Sequence, residues 1–187
     1  AADGYRYGGK SFECVSRLAE IVPILPSLHR TVVVPVLAGR GNTVDLSSVS
    51  GAVTWDDYLA PHRSAPLDCA RMPADHPAYI LYSSGTTGKP KCITHRSLGI
   101  LLMHIKEQQL HTDLRAGDRF FYFTTCGWMM WNWLVSGLAA GATLVLFDGN
   151  PFHPSPSALL DIARDERLTQ FGVSAKFIDR SEEHTSE

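Results

Sequence analysis

Residues 79–95, YILYSSGTTGKPKCITH, constrain this chain more than any other stretch. An apolar run over 78–82 opens it and reads as a buried parallel strand. A loop of Ser83, Ser84, Gly85, Thr86, Thr87 and Gly88 follows, then Lys89, Pro90 and Lys91. A helix is predicted to begin near Thr94 and His95. Glycines let backbone N–H groups close on an anion and take up positive φ. The hydroxyls add donors, the two lysines add charge, and Pro90 stiffens the exit. Such a loop suits a polyphosphate. It is not a Walker A loop, which needs a Gly five residues before the Gly-Lys pair and a Ser or Thr after the Lys. Ser83 and Pro90 stand in those places, so a kinase-like or GTPase-like reading loses ground. Composition alone would also allow a plain Ser/Gly connector.

The 187 residues are enough for one sizeable core. A charged fraction of 19% beside 44% hydrophobic residues marks a globular chain. The net charge of −2 suggests no general nucleic-acid or membrane-surface role. Cys14, Cys69, Cys92 and Cys126 form no CxxC pair and no metal-ligand spacing. They are expected as free thiols in a reducing compartment, the cytosol. No signal peptide is visible at the start.

The rest of the chain reads as alternating helices and strands. Residues 11–22 have helical apolar spacing, with Ser11 as the N-cap and Pro23 as the stop. Residues 31–37 read as a strand, placed at an edge or a strand end by Pro35. Thr54 caps a short helix over 54–58, and 61–77 is a proline-rich connector. An amphipathic helix is predicted over 97–111. Its N-terminus would face the loop and favour bound phosphate. His95 is expected to cap or pack at that end, with His104 and His111 on the helix surface. Strands over 118–124, 142–147 and 168–173 alternate with helices over 128–139 and 157–166, the latter with Leu159, Leu160 and Ile162 inward. Residues 128–147 carry no charge, which admits a membrane span. Gly137, Gly141 and the polar Asn132, Ser136 and Thr143 argue instead for a buried helix and strand. This order implies an α/β fold with a mostly parallel sheet flanked by helices.

The string SSGTTGKPK resembles the phosphate-binding signature of the adenylate-forming enzymes, which include acyl-CoA synthetases, luciferases and peptide-synthetase adenylation domains. The resemblance implies ATP as a substrate, with Ser83, Ser84, Gly85, Thr86, Thr87, Gly88, Lys89 and Lys91 holding its β- and γ-phosphates. It also implies that the α/β fold is part of the large N-terminal domain of such an enzyme. A second stretch, 124–148, resembles the acyl-pocket region of the acyl-CoA synthetases, where a strand-to-helix turn carries a Gly-Trp pair. The positions are Gly127, Trp128, Met129, Met130 and Asn132. Together with ADGYRYGGK, TWDDYLAP and GVSAKFI, they resemble the acetoacetate-activating branch more than the acetate-activating one. Two methionines would form a soft apolar wall. Trp128 could offer a flat face, and Asn132 a hydrogen bond to a polar acyl group. Core packing is the competing role for Met129 and Met130, and the expected one for Trp131 and Trp133.

The implied activity is that of an AMP-forming acid–thiol ligase using acetoacetate, ATP, Mg2+ and coenzyme A. No general base is required, because the attacking carboxylate is already ionised, and no residue here is assigned as catalytic or as a metal ligand. The family's Mg2+-binding glutamate, adenine contacts and catalytic lysine have no counterpart in these residues, so residues 1–179 are expected to be a fragment of the AMP-binding domain. Alternatives are an acetate- or other short-chain-activating synthetase and a non-catalytic nucleotide-binding module. Residues 180–187, RSEEHTSE, break the apolar pattern without a cap. One reverse translation of them matches the start of a common sequencing adapter, so they are expected to be a non-native tail.

Overall fold

The computed structural model describes residues 1–39, 41–62, 64–83 and 88–179. The chain divides into two compact units: residues 1–68 with 149–154, and residues 69–148 with the chain from 155 onward.

The first unit begins with two antiparallel strands, β1 (Gly4–Tyr7) and β2 (Lys10–Glu13). Gly8 and Gly9 join them at φ of +56° and +77°, the positive pair that a tight two-residue hairpin turn demands. This hairpin takes Ser11 and Phe12 out of the predicted helix. Helix α1 (Val15–Ile21) starts later, with Cys14 at its N-cap position. Glu13 satisfies the open helix end instead of Ser11: its carboxylate accepts from the Val15 and Ser16 N–H groups and, at 2.7 Å, from the Ser16 hydroxyl. Strand β3 (Thr31–Val33) stops short of Pro35 and pairs in parallel with β4 (Ala52–Thr54). Thr54 caps α2 (Trp55–Leu59) as expected, its hydroxyl accepting from Asp57 N–H at 3.2 Å.

The second unit opens with β5 (Pro77–Ser83) and β6 (Lys91–Arg96), paired antiparallel. Here the structure corrects the sequence. Residues 91–96 are a strand, not a helix start, and β5 belongs to an antiparallel hairpin with one face exposed. Helix α3 (Ser97–Lys106) follows and relaxes into a π turn over Glu107–His111. Its N-terminus follows the end of β6 opposite Lys91, so the helix does not open next to Ser83 and Lys91 as expected.

Strand β7 (Arg119–Tyr122), helix α4 (Met129–Ser136), a 3-10 turn over Gly137–Ala140, strand β8 (Thr143–Leu144), helix α5 (Ala158–Asp165) and strand β9 (Gln170–Gly172) complete the unit. The three strands form one parallel sheet in the order β8-β7-β9. The expected α/β class therefore holds, with helices supplying the connections. Leu114, Phe120, Leu134, Ala140 and Ala142 form the core on one side of β7. Phe121 points the other way and stacks on Phe171 at 5.4 Å. On α5, Leu159 is buried, but Leu160 is exposed rather than inward. The apolar stretch 128–147 is broken into α4, the 3-10 turn and β8, and no helix among the described residues is long and apolar enough to cross a membrane.

Candidate functional site

Directly opposed residues of an antiparallel pair share a face. In the β5–β6 hairpin Ser83 opposes Lys91, Leu81 opposes Ile93, and Tyr79 opposes His95. Tyr79, Leu81, Ser83 and His95 are half-buried, whereas Ile80 and Tyr82, one step out of phase, are exposed. Alternation of period two thus turns one set towards the helices and places Ser83 and Lys91 at the loop end of that face. Ser84, Gly85, Thr86 and Thr87 lie outside the described residues. Gly88 has φ of +97°, a conformation that side chains rarely adopt, and Lys89 is exposed beside it.

The hairpin lines a cavity of about 510 Å3 through Leu81, Ser83, Ile93 and His95 of the inward set, with Tyr82 also at its wall. Ile100, Met103, His104 and Glu107 close it from α3 and its π turn, and Met129, Met130, Asn132 and Trp133 from α4. A second cavity of about 460 Å3 shares Leu81, Tyr82, Met129 and Asn132 and adds Gly127 and Trp128. A third, of about 340 Å3, lies by the carboxyl ends of β7 and β9, between residues 122–125, Trp128 and Ser174. In open α/β sheets this is the end where ligands bind. Mostly apolar walls carrying a few polar groups suit a small organic ligand.

The five acyl-pocket candidates are therefore distributed over adjoining spaces. Met129 and Asn132 line both of the first two cavities, Met130 lines the first, and Gly127 lines the second. Trp128, 65% exposed, borders the second and third. Trp133 packs as expected and also borders a cavity. It lines the first cavity and packs edge-on against Phe120 at 5.2 Å and Tyr122 at 5.9 Å.

The structure corrects the two histidine expectations as well. His95 sits in β6 one residue before Arg96, the α3 N-cap position, and it packs at the cavity wall rather than capping the helix. His104 is 5% exposed rather than a surface residue. Its Nδ1 lies 2.8 Å from Ser136 Oγ, and the Ser136 hydroxyl donates to the Asn132 carbonyl at 3.0 Å. Burial holds the His104 pKa below the usual imidazole range, and repulsion from His95 adds to this against the attraction of Glu107. One turn along, Gln108 is fully buried and donates from Nε2 to the Trp133 carbonyl at 2.6 Å. Two polar side chains at i and i+4 thus fasten α3 and its π turn to α4. Sequence reasoning placed His104 on the helix surface and passed over Gln108, although polar residues four apart on an apolar helix were the available signal. It also passed over Thr124, Thr125 and Ser174, which only their positions just past strand ends could have marked. Among the described residues no group of three or more His, Cys, Asp or Glu side chains could hold a metal ion.

The AMP-binding enzyme family matches residues 12–186. An acetoacetyl-coenzyme A synthetase of Rhizobium meliloti is 51% identical over 178 residues, covering 95% of this chain and 27% of that protein. A malonamoyl-CoA synthetase of Penicillium aethiopicum is 43% identical, covering 94% of this chain and 26% of that protein. Among solved structures, an acetoacetyl-CoA synthetase from Streptomyces lividans matches with a TM-score of 0.85 and 42% sequence identity, over 98% of this chain and 27% of that one. The chain thus spans about 27% of the length of the relatives it matches. A family match over most of the chain, together with a shared backbone, makes this chain a member of the AMP-binding enzyme family.

Proposed function

We propose that the chain is the loop-and-cavity portion of an ATP-dependent acid–thiol ligase that activates acetoacetate. The observation carrying this reading is the juxtaposition of Ser83, at the entry of the Ser/Thr/Gly loop, with Met129, Met130 and Asn132 around one apolar cavity. In the first step a carboxylate oxygen of acetoacetate attacks the α-phosphorus of ATP, the bond to the bridging oxygen breaks, and pyrophosphate leaves. In the second, the thiol sulfur of coenzyme A attacks the acyl carbon of acetoacetyl-AMP and AMP leaves.

Negative charge grows on the departing pyrophosphate. Ser83, Ser84, Thr86, Thr87, Lys89, Lys91 and the amides of Gly85 and Gly88 would stabilise it there, more in the transition state than in the ground state. Met129, Met130 and Trp128 would enclose the acyl chain, and the Asn132 amide would donate to its keto oxygen. Among the described residues no group of three or more His, Cys, Asp or Glu side chains could hold a metal ion. Mg2+ would be carried on the phosphate oxygens of ATP and neutralise their charge. One relative is named a malonamoyl-CoA rather than an acetoacetyl-CoA synthetase. Both groups carry a carbonyl on the β-carbon, which fits a single polar donor in an otherwise apolar space.

The test is acid-dependent ATP–pyrophosphate exchange by a full-length chain carrying this segment, over acetoacetate, malonamate and acetate. Exchange should be fastest with acetoacetate. Lys89→Ala should slow it by about 100-fold, the typical loss on removing one preorganised donor. Unchanged exchange in that variant would remove the loop from the mechanism, and a preference for acetate would reassign the acid.

A further inference from the structure

The contact between His104 and Ser136 has a direction. Ser136 has one hydroxyl proton, and it is donated to the Asn132 carbonyl at 3.0 Å. The oxygen can then only accept from His104, 2.8 Å away, so His104 Nδ1 carries the proton. The imidazole is 5% exposed, and the cavity it borders takes Met130 and Asn132 from the same turn of α4 that Ser136 grips. Two consecutive hydrogen bonds therefore run from α3 through Ser136 to the backbone of Asn132.

We propose that His104 is a positioning residue for the acid, its Nδ1–H fixing Ser136 and through it the setting of Asn132 and Met130 in the cavity. The proposal rests on the reading that this cavity receives the acid. Gln108 holds α4 only at the Trp133 carbonyl, so without the His104 bond the helix can pivot about that point by fractions of an ångström, and a small acid touching few atoms is sensitive to such shifts. ATP, held mainly by the loop, is not.

Asparagine and glutamine separate this role from mere space-filling. The Asn amide nitrogen falls near the place of Nδ1, and the Gln amide nitrogen near that of Nε2. In a full-length chain carrying this segment, pyrophosphate exchange with His104→Asn should keep KM for acetoacetate within about twofold of wild type. His104→Gln, His104→Ala and Ser136→Ala should each raise that KM about tenfold while KM for ATP stays within about twofold. The double variant His104→Ala/Ser136→Ala should be no worse than either single change, because both cut one chain of bonds.

Equal behaviour of His104→Asn and His104→Gln would overturn the proposal, as would parallel rises in KM for acid and ATP. If His104→Ala does not fold, Ser136→Ala decides, since it removes a single oxygen. If wild type exchanges with a different acid, the same ratios are read with that acid. If it exchanges with none, the activating reading fails and this inference falls with it.

Discussion

Two buried ionisable side chains, Asp3 and His104, couple the fold to pH in opposite ways. Burial would raise the Asp3 pKa, but N–H donors from Ala38, Leu37 and Val36 outweigh it and hold the carboxyl below the usual range. The bonds are 2.9, 2.9 and 2.7 Å long. The folded state thus favours the charged form, so this stabilisation is fully present above about pH 4 and is lost as acid protonates the folded carboxylate. Asp3→Ala should cost about 1–3 kcal/mol by leaving the Leu37 and Ala38 N–H groups unpaired and Val36 N–H with only the Val34 carbonyl. It should appear as faster amide exchange at Val36, Leu37 and Ala38, and unchanged exchange there would mean that the carboxylate is idle. His104 has the reverse sign. Its pKa is lowered by burial, with His95 assisting and Glu107 opposing, while Ser136 and Asn132 on α4 are uncharged. Below about pH 6.5 the unfolded chain binds the extra proton more readily, so stability falls with pH until the folded imidazole is also protonated. His104→Asn should flatten the thermal-stability curve between about pH 7 and pH 5 relative to wild type. Curves of the same shape would show that this imidazole does not set the acid limb.

At the scale of elements, packing at one glycine gives the sharpest expectation. A Cβ on Gly137, in the turn after α4, would lie 2.8 Å from Phe120 Cδ1 and 3.2 Å from Leu144 Cδ2. Gly137→Ala should therefore destabilise the second unit by about 1–3 kcal/mol through overpacking. A denaturation midpoint equal to that of wild type would mean that this core yields more easily than its contacts suggest. Elements with strong local signals were legible in the sequence: the Thr54 cap, the stop at Pro35, and the strand–helix alternation from β7 to β9. The β5–β6 hairpin was not. Residues 91–96, KCITHR, are too short for a clear period, and a glycine-rich phosphate loop ordinarily leads into a helix. What decided the strand was non-local: Ile93 and His95 reach partners, Leu81 and Tyr79, across the loop. The β1–β2 hairpin was missed for a different reason. Gly8-Gly9 is a direct turn signal, but the apolar spacing of Phe12, Val15 and Leu18 imitates a helix that the chain begins only at Val15.

For the molecule as a whole, the question is what so much of a site can do by itself. The cavity residues were legible in sequence only as the run 127–132; their partners on β5, β6 and α3 come together through tertiary structure alone. The proposed adenylation needs more than a loop for the phosphates and a cavity for the acid. The α-phosphorus must be held in line with the incoming carboxylate, which requires grips on the adenosine and on the charge between the phosphates. Among the described residues no acidic cluster supplies the second of these, and the chain spans about 27% of its relatives' length. On the proposed reading orientation is supplied only in part, so most of the gain from fixed geometry would be absent, a gain worth about 7–11 kcal/mol of barrier in well-oriented reactions. The purified 187-residue polypeptide should therefore give no acetoacetate-dependent pyrophosphate exchange above the enzyme-free blank, while a full-length chain carrying the same residues does. Turnover by the short polypeptide alone would mean that these residues already hold every group the chemistry requires.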